Sequence, residues 1–194
     1  MSKPHHHIRL NSDAKADLQA WLLFLRLFNG KTFFLPDQWL SADALHLYTD
    51  AAGSLGYGAI LDKEWFYGKW PESWVSESIT LKEFFPILAA VMVWSKSLAD
   101  TRIIIHTDNL ALVHVINSKT SKEVKVMSLV RKFVVHCMLF NIEFKAQHVP
   151  GYENTLADKL SRLQVHTFKA LAPWARDQPI LLPDALQPQN CFLS

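Results

Sequence analysis

The chain reads as an α/β domain built on a mixed β-sheet, and three observations predict this. Residues 44–61 (ALHLYTDAAGSLGYGAIL) read as a strand, a small-residue corner and a second strand returning beside it. Residues 102–107 (RIIIHT) form a nearly continuous β-branched run, the pattern of a strand covered on both faces. Between the later strands lie segments of helical period, as the crossovers of parallel strands require.

In chain order, residues 11–28 predict an amphipathic helix. Ser12 or Asp13 can cap it, Leu18, Trp21, Leu22, Leu25 and Phe28 share one face, and Asn29-Gly30 stops it. Residues 31–44 read as an irregular link containing Pro36. In the first strand Leu45, Leu47 and Thr49 alternate with His46, Tyr48 and Asp50, and Gly53, Gly56 and Gly58 offer φ freedom to the reversal that follows. A turn at Asp62-Lys63 leads into a third antiparallel strand over residues 64–70. Residues 80–96 form a helix burying Leu81, Phe84, Phe85, Leu88 and Met92. After the 102–107 strand come a short helix over residues 109–117 and a longer one over 123–139. Residues 141–149 alternate again, with Ile142, Phe144 and Ala146 against Glu143, Lys145 and Gln147, as an edge strand does. Pro150-Gly151 breaks it, Asn154 can cap, and residues 156–163 form the last helix. From Gln164 the chain is rich in proline, which predicts a non-helical strap or tether.

At 194 residues and 49% hydrophobic content the chain can bury a full core. A formal charge of +2 gives no global signal for a polyanion partner, so any basic surface is local. Lys119, Lys122, Lys125, Arg131 and Lys132, set against Glu123, form the candidate patch. Cys137 and Cys191 lack metal-ligand spacing and read as reduced thiols of an intracellular protein, in cytoplasm or nucleus. No apolar run reaches membrane-spanning length, and residues 1–10, including His5, His6 and His7, lack the core of a signal peptide.

Four acids carry the candidate chemistry. Asp50 ends the first strand and Asp108 the fourth, which a right-handed crossover sets side by side, where they repel unless a cation lies between them. Glu83 has a competing structural role, since Thr80-Leu81-Lys82-Glu83 fits the spacing of a capping box. Asp158, early in the last helix, has one as a partner of the helix dipole.

The segments LYTDAAGSLGYGAIL, ITLKEFFPILAAVMVW, IIIHTDNLALVHVIN and HVPGYENTLADKLSR together resemble the ribonuclease H domain of retroelement reverse transcriptases. The phrasing is most similar to the tyrosine-recombinase (DIRS/Ngaro-like) group, with kinship to gypsy-like and pararetroviral enzymes. The resemblance implies a ribonuclease H-like fold, a five-stranded mixed sheet in order 3-2-1-4-5 flanked by helices. It divides the chain into residues 1–44, resembling the end of a polymerase thumb or connection, a ribonuclease H domain at 45–163, and a C-terminal tail at 164–194.

The family's metal-binding and catalytic acids fall on Asp50, Glu83, Asp108 and Asp158. The implied cofactor is two Mg²⁺ ions, for which Mn²⁺ can substitute, and the implied reaction is cleavage of the RNA strand of an RNA–DNA hybrid. Asp50 bridges the ions in this reading, Asp108 and Asp158 serve the attacking water, and Glu83 faces the leaving group. Substrate contacts fall on Ala51, Gly53, Ser54, Thr80, Asn109, Lys119 and Lys122, with His148 as an auxiliary group. The polymerase module of the same polyprotein is the implied partner.

The sequence departs from the family in three places, one of them being Thr80 and Leu110, which stand where relatives often hold Asn or Gln. Residues 117–123 are too few for the basic helix inserted in cellular relatives, and the loop at 150–153 lacks the histidine that many members carry there. The competing readings are a catalytically silent binding or tethering module of the same fold, a transposase or integrase core, and a protein-interaction domain.

Overall fold

A computed structural model describes residues 9–28, 30 and 44–192 of the chain. Five strands make one sheet in the order β3-β2-β1-β4-β5. β1 (Leu45–Ala51), β2 (Gly56–Leu61) and β3 (Glu64–Lys69) run antiparallel, and β4 (Arg102–Thr107) and β5 (Glu143–His148) join parallel to β1. This is the ribonuclease H-like sheet expected from the sequence. The β-branched run of β4 is buried from Ile103 to Thr107, whereas β5, at the edge, exposes Lys145, Gln147 and His148.

Helices cover both faces. α2 (Ile79–Val93), α4 (Leu110–Ser118) and α5 (Val124–Leu139) close the larger core, in which Phe84, Phe85 and Phe133 are almost wholly buried. A single-turn helix α3 (Ser95–Leu98) follows α2. α6 (Thr155–Ser161) and α7 (Val165–Leu171) cover the other face, around Ile60, Trp65, Leu160 and Phe168. α6 approaches closely because Gly58 has no side chain: a Cβ there would lie 2.3 Å from the Cβ of Leu160. Gly53, Gly56 and Gly58 all avoid positive φ, so the expectation of conformational freedom gives way to one of space, most clearly at Gly58.

Four local expectations change. The cap of α2 is Ser78, whose hydroxyl accepts from the Leu81 N–H, so Thr80 and Glu83 form no capping box. Asn154 makes no cap hydrogen bond, and its amide instead donates to the Thr49 carbonyl of β1 at 2.9 Å. The stretch after Gln164 contains a regular helix, α7, because its first proline comes only at Pro173. α1 (Ser12–Leu27) packs on α5, held by Arg131 to Asp13 and Asp17, yet it buries no residue and leaves Leu18, Trp21, Leu22, Leu25 and Phe28 exposed. The links expected at Asn29 and residues 31–43, and His5 to His7, lie outside the described residues.

Beyond α7 the chain straps the β3 edge. Arg176 N–H donates to the Lys63 carbonyl, Ile180 N–H to the Trp65 carbonyl, and the Trp65 indole to the Arg176 carbonyl. Its end returns to the larger core, where Leu182 and Cys191 are buried and Phe192 stacks on Trp74. No helix among the described residues is long and apolar enough to cross a membrane.

Candidate active site

The parallel register between β1 and β4 pairs Tyr48 with His106. Two residues further on, both strands release an acid at the same edge: Asp50 near the end of β1 and Asp108 just past β4. Beneath them, rings from the two strands stack, Tyr48 on His106 at 4.3 Å between centroids, and His46 Nδ1 lies 2.8 Å from His106 Nε2. Burial, with His46 beside it, lowers the pKa of His106 to about 4, so this support stays uncharged near neutrality.

α2 delivers the third acid. With Ser78 as the cap, Glu83 lies beyond the first turn on a stretch buried on all sides from Leu81 to Val91. Oxygens of Asp50, Glu83 and Asp108 lie within 4.8 Å of one another, and Asp50 and Glu83 are buried while Asp108 is exposed. Burial pushes the Glu83 carboxyl up to about 9, with Asp50 and Asp108 adding to the rise. Asp50 rises to about 6, mainly through burial, with Asp108 and Asp158 contributing and a Ser161 hydrogen bond opposing. Among the described residues one oxygen of Glu83, Oε2, is buried with no hydrogen-bond partner. Three hard oxygen donors, two of them out of water and one orphaned, fit a Mg²⁺- or Mn²⁺-type cation.

Asp158 is placed differently. Asn154 pins the start of α6 to β1, which brings Asp158 close enough to raise the Asp50 pKa. Its own carboxylate accepts from Arg162 at 2.6 Å and Lys159 at 3.0 Å. Burial alone would raise the Asp158 pKa, but those two cations outweigh it and hold the group below the usual range. The structure therefore gathers three of the four acids and sets the fourth beside them in ion pairs.

The remaining candidates are spread along the sheet edge and beyond. Ala51 is buried at the end of β1, and Gly53 and Ser54 are exposed in the turn that follows. Thr80 is half-buried, one helical turn before Glu83. Asn109 caps α4, its Oδ1 accepting from the Leu112 N–H at 3.1 Å, which leaves its amide nitrogen for a ligand. The loop after β5 runs past the acids, since a Cβ on Gly151 would lie 3.3 Å from Asp108 Oδ2. His148, exposed and paired with Thr107, is at the same edge.

Lys119 and Lys122 are exposed, but at the far end of α4, about 14 Å of helix away from Asp108. The Lys119 ammonium lies 5.4 Å from the centre of the Phe144 ring. The rest of the basic patch has internal partners: Lys125 pairs with Glu77, Arg131 with Asp13 and Asp17, and Lys132 with the Cys191 carbonyl.

Sequence reasoning missed two residues at the site. Ser161 is fully buried on α6, its hydroxyl against Asp50 Oδ2 and 2.9 Å from the Asp158 carbonyl. Its position three residues after Asp158, on the same helix face, was the available signal. Lys82 is buried beside Glu83, and its ammonium donates to the Gly53 carbonyl at 2.6 Å and the Val75 carbonyl at 2.8 Å.

No family model and no curated protein matches the chain. Among solved structures, it is similar to the N-terminal RNase H domain of a Mycobacterium tuberculosis protein, with 17% identity over 60% of this chain and 95% of that one, and a TM-score of 0.46. It is similar to RNase H1 of Halobacterium salinarum, with 18% identity over 63% and 98% of the two chains and a TM-score of 0.45. A foamy viral protease-reverse transcriptase in complex with an RNA/DNA hybrid is 14% identical over 82% of this chain and 27% of that one, with a TM-score of 0.48.

Proposed function

We propose that this protein is a ribonuclease H, an endoribonuclease that hydrolyses the RNA strand of an RNA–DNA hybrid and leaves a 5′-phosphate and a 3′-hydroxyl. The observation that carries the reading is the convergence of Asp50, Glu83 and Asp108, from β1, α2 and the end of β4, with Glu83 Oε2 unpartnered. In this reading Asp50, Glu83, Asp108 and Asp158 would hold the divalent ions, Asp50 and Glu83 from the buried side and Asp108 and Asp158 from the more open side. Two divalent ions, when bound, neutralise charge on the reacting phosphate and activate the attacking water.

The chain's own contribution is positioning. Ser161 holds one oxygen of Asp50, Asn154 fixes α6, and the exposed turn at Gly53 and Ser54 meets the RNA strand, whose 2′-hydroxyls line a wide minor groove. Thr80 and Asn109 flank the acids as further contacts, and Lys119 and Lys122 meet phosphates further along the hybrid. The retroelement setting, with a DIRS/Ngaro-like polymerase as covalent partner, belongs to the same proposal and rests on the sequence resemblance.

A second reading, a silent hybrid-binding module, draws on the ion pairs that engage Asp158. Incubation of a labelled hybrid with Mg²⁺ or Mn²⁺ separates the two. Metal-dependent internal cuts in the RNA strand support the nuclease, whereas salt-sensitive binding without cuts supports the silent module.

A further inference from the structure

The turn after β1 is held from beneath by two side chains. Trp70, buried on the strand side of that turn, donates its indole N–H to the Ala52 carbonyl at 2.8 Å. Lys82, 3% exposed, donates to the next carbonyl, that of Gly53. Every peptide bond in the described chain is trans, so each C=O points opposite to the N–H of its own peptide plane. Drawing the Ala52 and Gly53 carbonyls inward therefore turns the Gly53 and Ser54 N–H groups away from the core. Neither of these N–H groups donates to any described residue, and both residues are exposed. Two successive outward N–H groups form a concave donor pair suited to an oxygen acceptor.

The lysine is an expensive way to secure a loop. Burying an ammonium is unfavourable unless it is well satisfied, and an apolar residue would fill the same position on α2 without that penalty. Among the described residues Lys82 has no carboxylate partner; its two acceptors are backbone carbonyls of two different loops, Gly53 after β1 and Val75 before α2. It is also the chain neighbour of Glu83, so the helix that supplies an acid also sets the turn beside that acid.

We propose that Lys82 is a positioning residue for substrate: it orients the Gly53 peptide so that the Gly53 and Ser54 N–H groups face the oxygens of the bound strand. This rests on the ribonuclease H reading above, and the experiment keeps the two apart. Lys82→Met retains the buried stem and removes both hydrogen bonds, while Lys82→Arg restores a cationic donor. The expected result for Lys82→Met is a rise of about tenfold in KM and in hybrid Kd, with kcat within about twofold and partial recovery in Lys82→Arg. Calorimetric Mn²⁺ binding to the substrate-free protein stays unchanged, because the acids are untouched.

A DNA duplex of the same sequence separates the acceptors. Loss of affinity for the hybrid alone identifies 2′-hydroxyls, and equal loss for both duplexes identifies phosphates. Either supports the positioning role. Unchanged KM and Kd in folded Lys82→Met overturn it, and so does a joint fall of kcat and Mn²⁺ binding, which would make Lys82 a support of the acid cluster. Should Lys82→Met fail to fold, Trp70→Phe tests the same turn: a few-fold rise in KM supports the device and an unchanged KM overturns it. A wild-type protein that neither binds nor cuts hybrid refutes the ribonuclease reading, whatever the variants do.

Discussion

Glu83→Gln offers a test of the acid cluster that needs no substrate. In the folded chain the Glu83 carboxyl titrates at about 9, against an ordinary value of 4.5. Between those limits the folded protein keeps a proton that the unfolded chain has released. Stability is therefore greatest on the acid side and falls as pH rises through the window. At about 1.4 kcal/mol per pH unit, the loss reaches about 4 kcal/mol by pH 7.5. Asp50, raised from 3.8 to about 6, acts in the same direction but is exhausted above its own pKa.

Glutamine carries no titrating proton, and it inherits the same buried, unpartnered position, so that cost cancels between wild type and variant. Metal-free Glu83→Gln is thus expected to exceed wild type by about 4 kcal/mol at pH 7.5, or roughly 8–16 °C in Tm. The two should converge near pH 4.5. Denaturant unfolding of chelated protein at pH 5, 7 and 9 gives the answer, and Mn²⁺ should stabilise wild type more than the variant. A wild-type stability that is flat from pH 5 to 9, or a variant weaker than wild type at pH 7.5, would refute a buried, protonated Glu83.

Asp50→Asn and Asp108→Asn should each lower hybrid cleavage by at least about a hundredfold while leaving the far-ultraviolet circular dichroism intact, since each removes a crowded charge. Gly58→Ala puts a Cβ 2.3 Å from that of Leu160, so α6 must shift; a loss of about 1–3 kcal/mol in urea unfolding is expected, with weaker cleavage because α6 carries Asp158 and Ser161. Truncation after Leu171 removes the strap from the β3 edge and uncovers the Trp65 side chain. It should cost about 2 kcal/mol or more in unfolding and leave a protein that self-associates in light scattering.

What could be read in advance follows from how local each signal is. The period-two strands and the β-branched run fix which residues share a face, and the right-handed crossover rule sets β4 beside β1, so Asp50 and Asp108 were legible as neighbours. Glu83 was ambiguous because Ser78 and Thr80 are both competent caps. Only the folded chain shows the helix starting at Ile79, which places the acid too deep to cap. The basic patch misled for a different reason: Lys125, Arg131 and Lys132 meet partners between 48 and 118 positions away, and no window on the sequence pairs them. The α1 face reads as buried because it is apolar, but amphipathicity states only that a face can be covered.

Asp158 shows why acids alone do not define the site. Its charge is answered by Arg162, the C-cap of α6 one helical turn on, and by Lys159 within that helix. Among the described residues Asp50 and Glu83 form no ion pair: Asp50 meets Ser161 and feels Arg162 only at a distance, and Glu83 Oε2 has no hydrogen-bond partner. A helix can neutralise its own half-buried aspartate readily, because i,i+4 pairing is available wherever a lysine or arginine follows. It cannot do so for a carboxylate facing inward onto a sheet edge, where the next charges are other acids. In the ribonuclease H reading that buried pair is where a divalent cation would bind, and its binding would require Glu83 to release the proton that burial keeps on it, whereas Asp158 is already paired with Lys159 and Arg162.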